Sequence, residues 1–126
     1  MTTETKKALT IAEVAARFDT LAQQELWFEI QDELFADDVK SIEPPNSPYL
    51  ENVEGKGAVR KKAENWVAKV QALHSARTTH PIVAGDHFAV GREMDFTVEG
   101  YGRVVINEIM VYEVKDGQIV VEQFIY

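Results

Sequence analysis

A chain of 126 residues with a formal net charge of −8 has the size of one domain and can bury a real core. Its 45% hydrophobic and 27% charged residues are ordinary for a globular protein, and the acidic balance excludes the concentrated basic surface that nucleic-acid backbones require. The absence of cysteine removes disulfides, thiolate catalysis and cysteine-ligated metal centres together.

The first seven residues are polar and lack the apolar core of a signal peptide, and no run reaches the ~20 apolar residues of a membrane span. The expected compartment is therefore the cytoplasm. Residues 1–9 are expected to be disordered or loosely attached, ahead of a single domain over residues 10–126.

Thr10 followed by Glu13 is a capping-box pair. Behind it Ile11, Val14, Ala15, Phe18 and Leu21 recur at helical spacing. Leu26, Trp27, Ile30, Leu34 and Phe35 carry a second stripe to about Ala36. No Gly or Pro separates the stripes, so residues 11–36 are compatible with one helix or two. A break near Gln23-Gln24 lets both stripes face one core.

Residues 39–42 read as a short strand stopped by Pro44-Pro45, and Asn46-Ser47-Pro48 as a turn. Residues 49–53 read as a second extended piece. Gly55-Lys56-Gly57 opens a third helix, with Val59, Ala63, Trp66, Val70 and Leu73 on one face. The basic run Arg60-Lys61-Lys62 reads as that helix's solvated side.

From His74 the period changes to two. Strands are predicted over 74–84, 86–98, 101–114 and 118–126, with hairpin turns at Gly85-Asp86, Glu99-Gly100 and Asp116-Gly117. Helices followed by a meander make an α+β pattern. Strands this long twist and curl. The expected architecture is three helices on a strongly curved antiparallel sheet, a cone or half-barrel enclosing a pocket.

Two stretches carry a family resemblance. One is Leu34-Phe35-Ala36-Asp37-Asp38-Val39 with Ser41-Ile42-Glu43-Pro44. The other is the last hairpin, Val111-Tyr112-Glu113-Val114-Lys115-Asp116-Gly117-Gln118-Ile119, closed by Glu122-Gln123-Phe124-Ile125-Tyr126. In these the chain resembles the SnoaL-like branch of the nuclear transport factor two-like superfamily, over about residues 11–126. The resemblance implies a cystatin-like fold. It specifies function poorly, because ketosteroid isomerases, polyketide cyclases, dehydratases, epoxide hydrolases and plain binding modules share that fold.

Glu43 leads the candidates. The resemblance puts the proton-shuttling carboxylate of ketosteroid isomerases here, directly before a proline. A partly desolvated carboxyl at this place would have the raised pKa that suits a general base. The bland alternative is a strand-end glutamate in solvent or one capping backbone amides. In the same resemblance the oxyanion-binding tyrosine falls nearest Phe18, which has no hydroxyl, and the protonated acid falls at Ile109, beside Glu108.

Alternation groups Val104, Ile106, Glu108, Met110 and Tyr112 on one strand face, whose only charge is Glu108. A lone acid among apolar side chains is costly unless paired or protonated. A shift of register would instead turn Asn107 inward. His80, before Pro81, is a third catalytic candidate if a bulge aims it inward. Arg92 has the wrong parity for solvent and is expected to reach a carboxylate.

Phe18, Trp27, Tyr49 and Trp66, with Met110, Tyr112, Phe124 and Tyr126, are the expected ligand-lining residues, though aromatics at such periods are ordinarily just core. His74, His80 and His87 lack metal-ligand spacing, so neither metal nor cofactor is expected.

The reading that follows is a small-molecule-binding domain carrying out cofactor-free proton transfer on a small apolar carbonyl or hydroxy compound. Glu43 would be the base and Glu108 or His80 its partner, with one of two carboxyls in the pocket holding its proton. The alternative is a non-catalytic ligand-binding or scaffold module. Either would form a homodimer through the outer sheet face and would bind neither nucleic acid nor membrane.

Overall fold

The capping signals place the helical half. The computed structural model describes residues 8–126, and in it Thr10 Oγ1 accepts from Glu13 N at 3.2 Å while Glu13 Oε1 accepts from Thr10 N at 2.9 Å. Helix α1 (Ile11–Ala22) then buries Val14, Ala15, Phe18 and Leu21. Glu25 takes a left-handed φ of 60°, which breaks the chain before α2 (Trp27–Leu34). Two helices form, not one.

The second stripe runs past the end of its helix. Phe35 already belongs to strand β1 (Phe35–Ile42), and Phe35, Ala36 and Val39 stay buried, so one apolar run serves a helix end and then a strand. The extended piece expected over 49–53 shrinks to β2 (Val53–Glu54), which pairs with β1. Helix α3 spans Lys56–Lys69 behind Gly55 at φ 97°. Val70 and Leu73, expected on that helix, lie on β3 (Val70–Thr78), where Val70 pairs with Val98.

The strand expected over 74–84 is split, because Pro81 has no N–H to give a ladder. It resumes as β4 (Ile82–Ala84) against β5 (His87–Val98). Strands β6 (Gly102–Lys115) and β7 (Gln118–Ile125) complete the meander. Asp116 and Gly117 both have positive φ, 52° and 75°, as a two-residue hairpin turn demands. A Cβ at Gly117 would stand 2.7 Å from Leu9 N, so the chain at residue 9 lies against this turn. The rest of the N-terminus expected to be loose, residues 1–7, lies outside the described residues.

The sheet order is β2-β1-β7-β6-β5-β3, with β4 on β5. All pairs are antiparallel except β1–β7, a departure from the expected all-antiparallel sheet. β1 comes off the helical half and enters the sheet beside the last strand, where no hairpin constrains its direction. Bulges in β1–β7, β3–β5 and β6–β7 add to the curl. The main core lies between α1, α2 and the concave face, and a second cluster around Phe96, Val98 and Ile106 sits towards α3. No helix among the described residues is long and apolar enough to cross a membrane.

Candidate functional site

Helix α3 explains why a cavity exists. Of its fourteen residues only Val59 is fully buried. The rest of its apolar face, Ala63, Trp66 and Val67, opens on a cavity of about 520 Å³, with Trp66 touching the sheet edge-on at Phe96, ring centroids 5.8 Å apart. Residues of both core clusters line this space, among them Phe35, Met110 and Tyr112 from one and Phe96 and Ile106 from the other.

Strand parity sets its polar groups. On β6, Met110 and Tyr112 are buried while Val105 and Ile109 are exposed at 65% and 51%, so Glu108 faces the cavity and Asn107 faces outward. Among the described residues no hydrogen bond or ion pair holds the Glu108 carboxyl. Burial pushes its pKa up to about 7; the Arg92 charge opposes this, and Glu43 and Glu122 add to it. Arg92 is the cross-strand partner of Glu108 but turns away. Its Nη1 and Nη2 donate to Glu25 at 2.9 and 2.7 Å, Nη1 also donates to Thr78, and the guanidinium lies 4.6 Å from the Trp27 ring.

Glu43 sits at the other side of the cavity in a filled network. Its side chain is 2% exposed, and Lys62 Nζ donates to Oε2 at 2.9 Å. The Tyr126 hydroxyl donates to Oε1 at 2.7 Å, and Asn52 Oδ1 accepts from the Glu43 backbone N at 2.7 Å. Lys62 also donates to Ser41 Oγ at 2.6 Å, and Ser41 donates to Glu122 Oε1 at 2.6 Å. Glu122 is 6% exposed. Burial raises its pKa to about 7 against the Ser41 hydrogen bond and the Lys62 charge. The Tyr126 phenol is raised by burial, partly offset by its bond to Ser47.

Trp27, Tyr49, Trp66, Met110, Tyr112, Phe124 and Tyr126 line the cavity with Glu43 and Glu108. Two expected residues do not. Phe18 is fully buried in the core, 4.7 to 5.8 Å from the rings of Tyr112, Phe88 and Trp27. His80 lies outside: its side chain is 79% exposed and pairs with Asp19 of α1 at 2.9 Å, because the chain leaves the sheet at Thr79.

Lys62 is the main residue misread from sequence. It was expected in solvent, but its side chain is 9% exposed and, three residues after Val59, it shares that residue's helical face. Ser41 and Glu122 were also missed. The signal was strand parity, since Ser41 follows buried Val39 and Glu122 precedes Phe124 by two. Glu25 carried no local signal.

A family model for the SnoaL-like domain matches residues 9–126. A candidate SnoaL-like polyketide cyclase from Mesorhizobium loti is 34% identical, with 94% of this chain and all of that one covered at a TM-score of 0.87. A candidate SnoaL-like polyketide cyclase from Jannaschia sp. is 15% identical, covering 99% of this chain and 90% of its own at a TM-score of 0.69. A protein with a cystatin-like fold from Xanthomonas campestris is 17% identical, covering 92% and 89% at 0.71. The last two show the fold alone. No curated protein matches the chain. With the match running over nearly its whole length, the chain belongs to the SnoaL-like domain family, of the nuclear transport factor two-like fold.

Proposed function

We propose that this chain binds a small, largely apolar molecule in its cavity and moves a proton on it without a cofactor. The observation that supports this most is the Glu108 carboxyl, which faces the cavity without a partner among the described residues, its pKa pushed up by burial to about 7. An acid–base group works best when its pKa lies close to the working pH. Glu43, expected as the base, has both oxygens occupied by Lys62 and Tyr126. Glu108 is therefore the proton carrier in this reading, and Glu43 holds Lys62 and Tyr126 in the wall. Val105, Ile109 and Ile125, exposed on the outer sheet face, support a homodimer through that face.

Deuterium exchange next to the carbonyl of cavity-sized ketones in D2O tests the chemistry. Saturable exchange that rises through neutral pH and is lost in Glu108→Gln is the expected result. Saturable binding with no exchange would leave a ligand-binding module only.

A further inference from the structure

Charge is unevenly placed around the cavity. Its wall carries the acids Glu25, Glu29, Glu43, Glu108 and Glu122 against two bases, Lys62 and Arg92. Both bases are committed. Arg92 is bound at both terminal nitrogens by Glu25. Lys62 pairs with Glu43 and reaches Glu122 only through Ser41. Glu29 is exposed, and among the described residues Glu108 and Glu122 have no counter-ion of their own inside.

Both carboxyls keep unfilled capacity. Ser41 occupies Glu122 Oε1, while among the described residues no donor reaches Oε2, although the side chain is more than nine-tenths buried and lines the cavity. Among the described residues no donor reaches either oxygen of Glu108. In the same cavity wall, the buried Tyr112 hydroxyl finds, among the described residues, only the Met110 sulfur, at 3.7 Å, a weak acceptor. Tyr49, Trp66 and Phe124 supply aromatic surface for an apolar body around the same space; the Phe124 ring already lies 5.5 Å from the Lys62 ammonium.

An anionic ligand would meet uncompensated carboxylates here. A neutral one would leave both acids in the protonated form that burial favours, with no charge to meet them. A cation with an apolar body satisfies the acids and the rings together. We propose that the ligand of this cavity carries a protonated amine on an apolar body, the ammonium against Glu108 and Glu122 and the body among Tyr49, Trp66 and Phe124. The volume of about 520 Å³ is within the usual range for a small-molecule site. The inference rests on the reading of the cavity as a ligand site and names the chemistry of its ligand.

Titration calorimetry with phenethylamine and its neutral isostere phenethyl alcohol tests it, the same body with and without charge. The amine is expected to bind about tenfold tighter at neutral pH, and Glu122→Gln or Glu108→Gln should bring the ratio towards one. Glu122→Gln keeps an acceptor for Ser41, and the second variant guards against misfolding of the first. Equal or tighter binding of the alcohol overturns the ammonium assignment and leaves the ligand-site reading standing. Millimolar concentrations of both probes without binding overturn the two together.

Discussion

Arg92 and Glu108 are cross-strand partners on the concave face of the sheet, yet the Arg92 guanidinium bonds to Glu25, 67 residues earlier in the chain. That choice leaves the Glu108 carboxyl without a partner among the described residues, facing a cavity. The turn between α1 and α2 thus sets the state of an acid on β6. Removing the Glu25 charge should release the guanidinium to its neighbour: in Glu25→Gln at pH 8, a crystal structure is expected to show Arg92 within about 3 Å of Glu108. Arg92 remaining on Thr78 and the Trp27 ring would contradict this.

The buried pair Glu43–Lys62 makes an opposite prediction for the other acid. Glu43→Gln leaves the Lys62 ammonium buried without its counter-ion, which costs about 3 kcal/mol. Adding Lys62→Met should recover most of the loss, and a double-mutant cycle in urea measures it. If Glu43→Gln alone is neutral, the pair contributes nothing.

For Glu108 the linkage runs the other way. The unfolded chain gives up this proton near about 4.3, the folded protein near 7. The acid's contribution is therefore fully present below the unfolded value, falls as pH rises between the two, and stays lost above the folded value. Glu108→Gln removes the penalty. It should nearly match the parent at pH 4 and exceed it by about 3 kcal/mol at pH 8, measured by urea unfolding at both. A variant less stable at pH 8 would show the carboxylate to be a pairing group.

The outer face carries its own prediction. Ile109 and Ile125 pair across β6 and β7 and are 51% and 49% exposed, next to Val105 at 65%. Sedimentation at micromolar concentration should find a dimer, and Ile109→Lys a monomer. A parent that sediments at 14.2 kDa excludes the interface.

Much of this was legible in the sequence because period-two alternation is a local signal. The run from Val104 to Tyr112 narrowed the inward acid or amide of β6 to Glu108 or Asn107, and the fold turns Glu108 inward. The Thr10–Glu13 capping box fixed the start of α1. Pairings over long separation were not legible. Nothing near Glu25 announces Arg92, and nothing near β1 announces a parallel neighbour in β7. Lys62 was lost for a different reason: a basic triplet averages over helix faces, and only its spacing from Val59 marks it as inward. His80 shows the converse, since its strand ends before the ring can turn in.

The proposed function rests on Glu108, an acid without a partner among the described residues, whose pKa burial in the cavity brings close to neutrality. Carbon-13 NMR of the side-chain carboxyls, with Glu108→Gln to assign the resonance, reads this directly. A titration midpoint near 7 is the expected result. A midpoint in the ordinary range, near about 4.3, would contradict it: the carboxyl would then be solvated or paired, and the proton-transfer reading would lose its principal group.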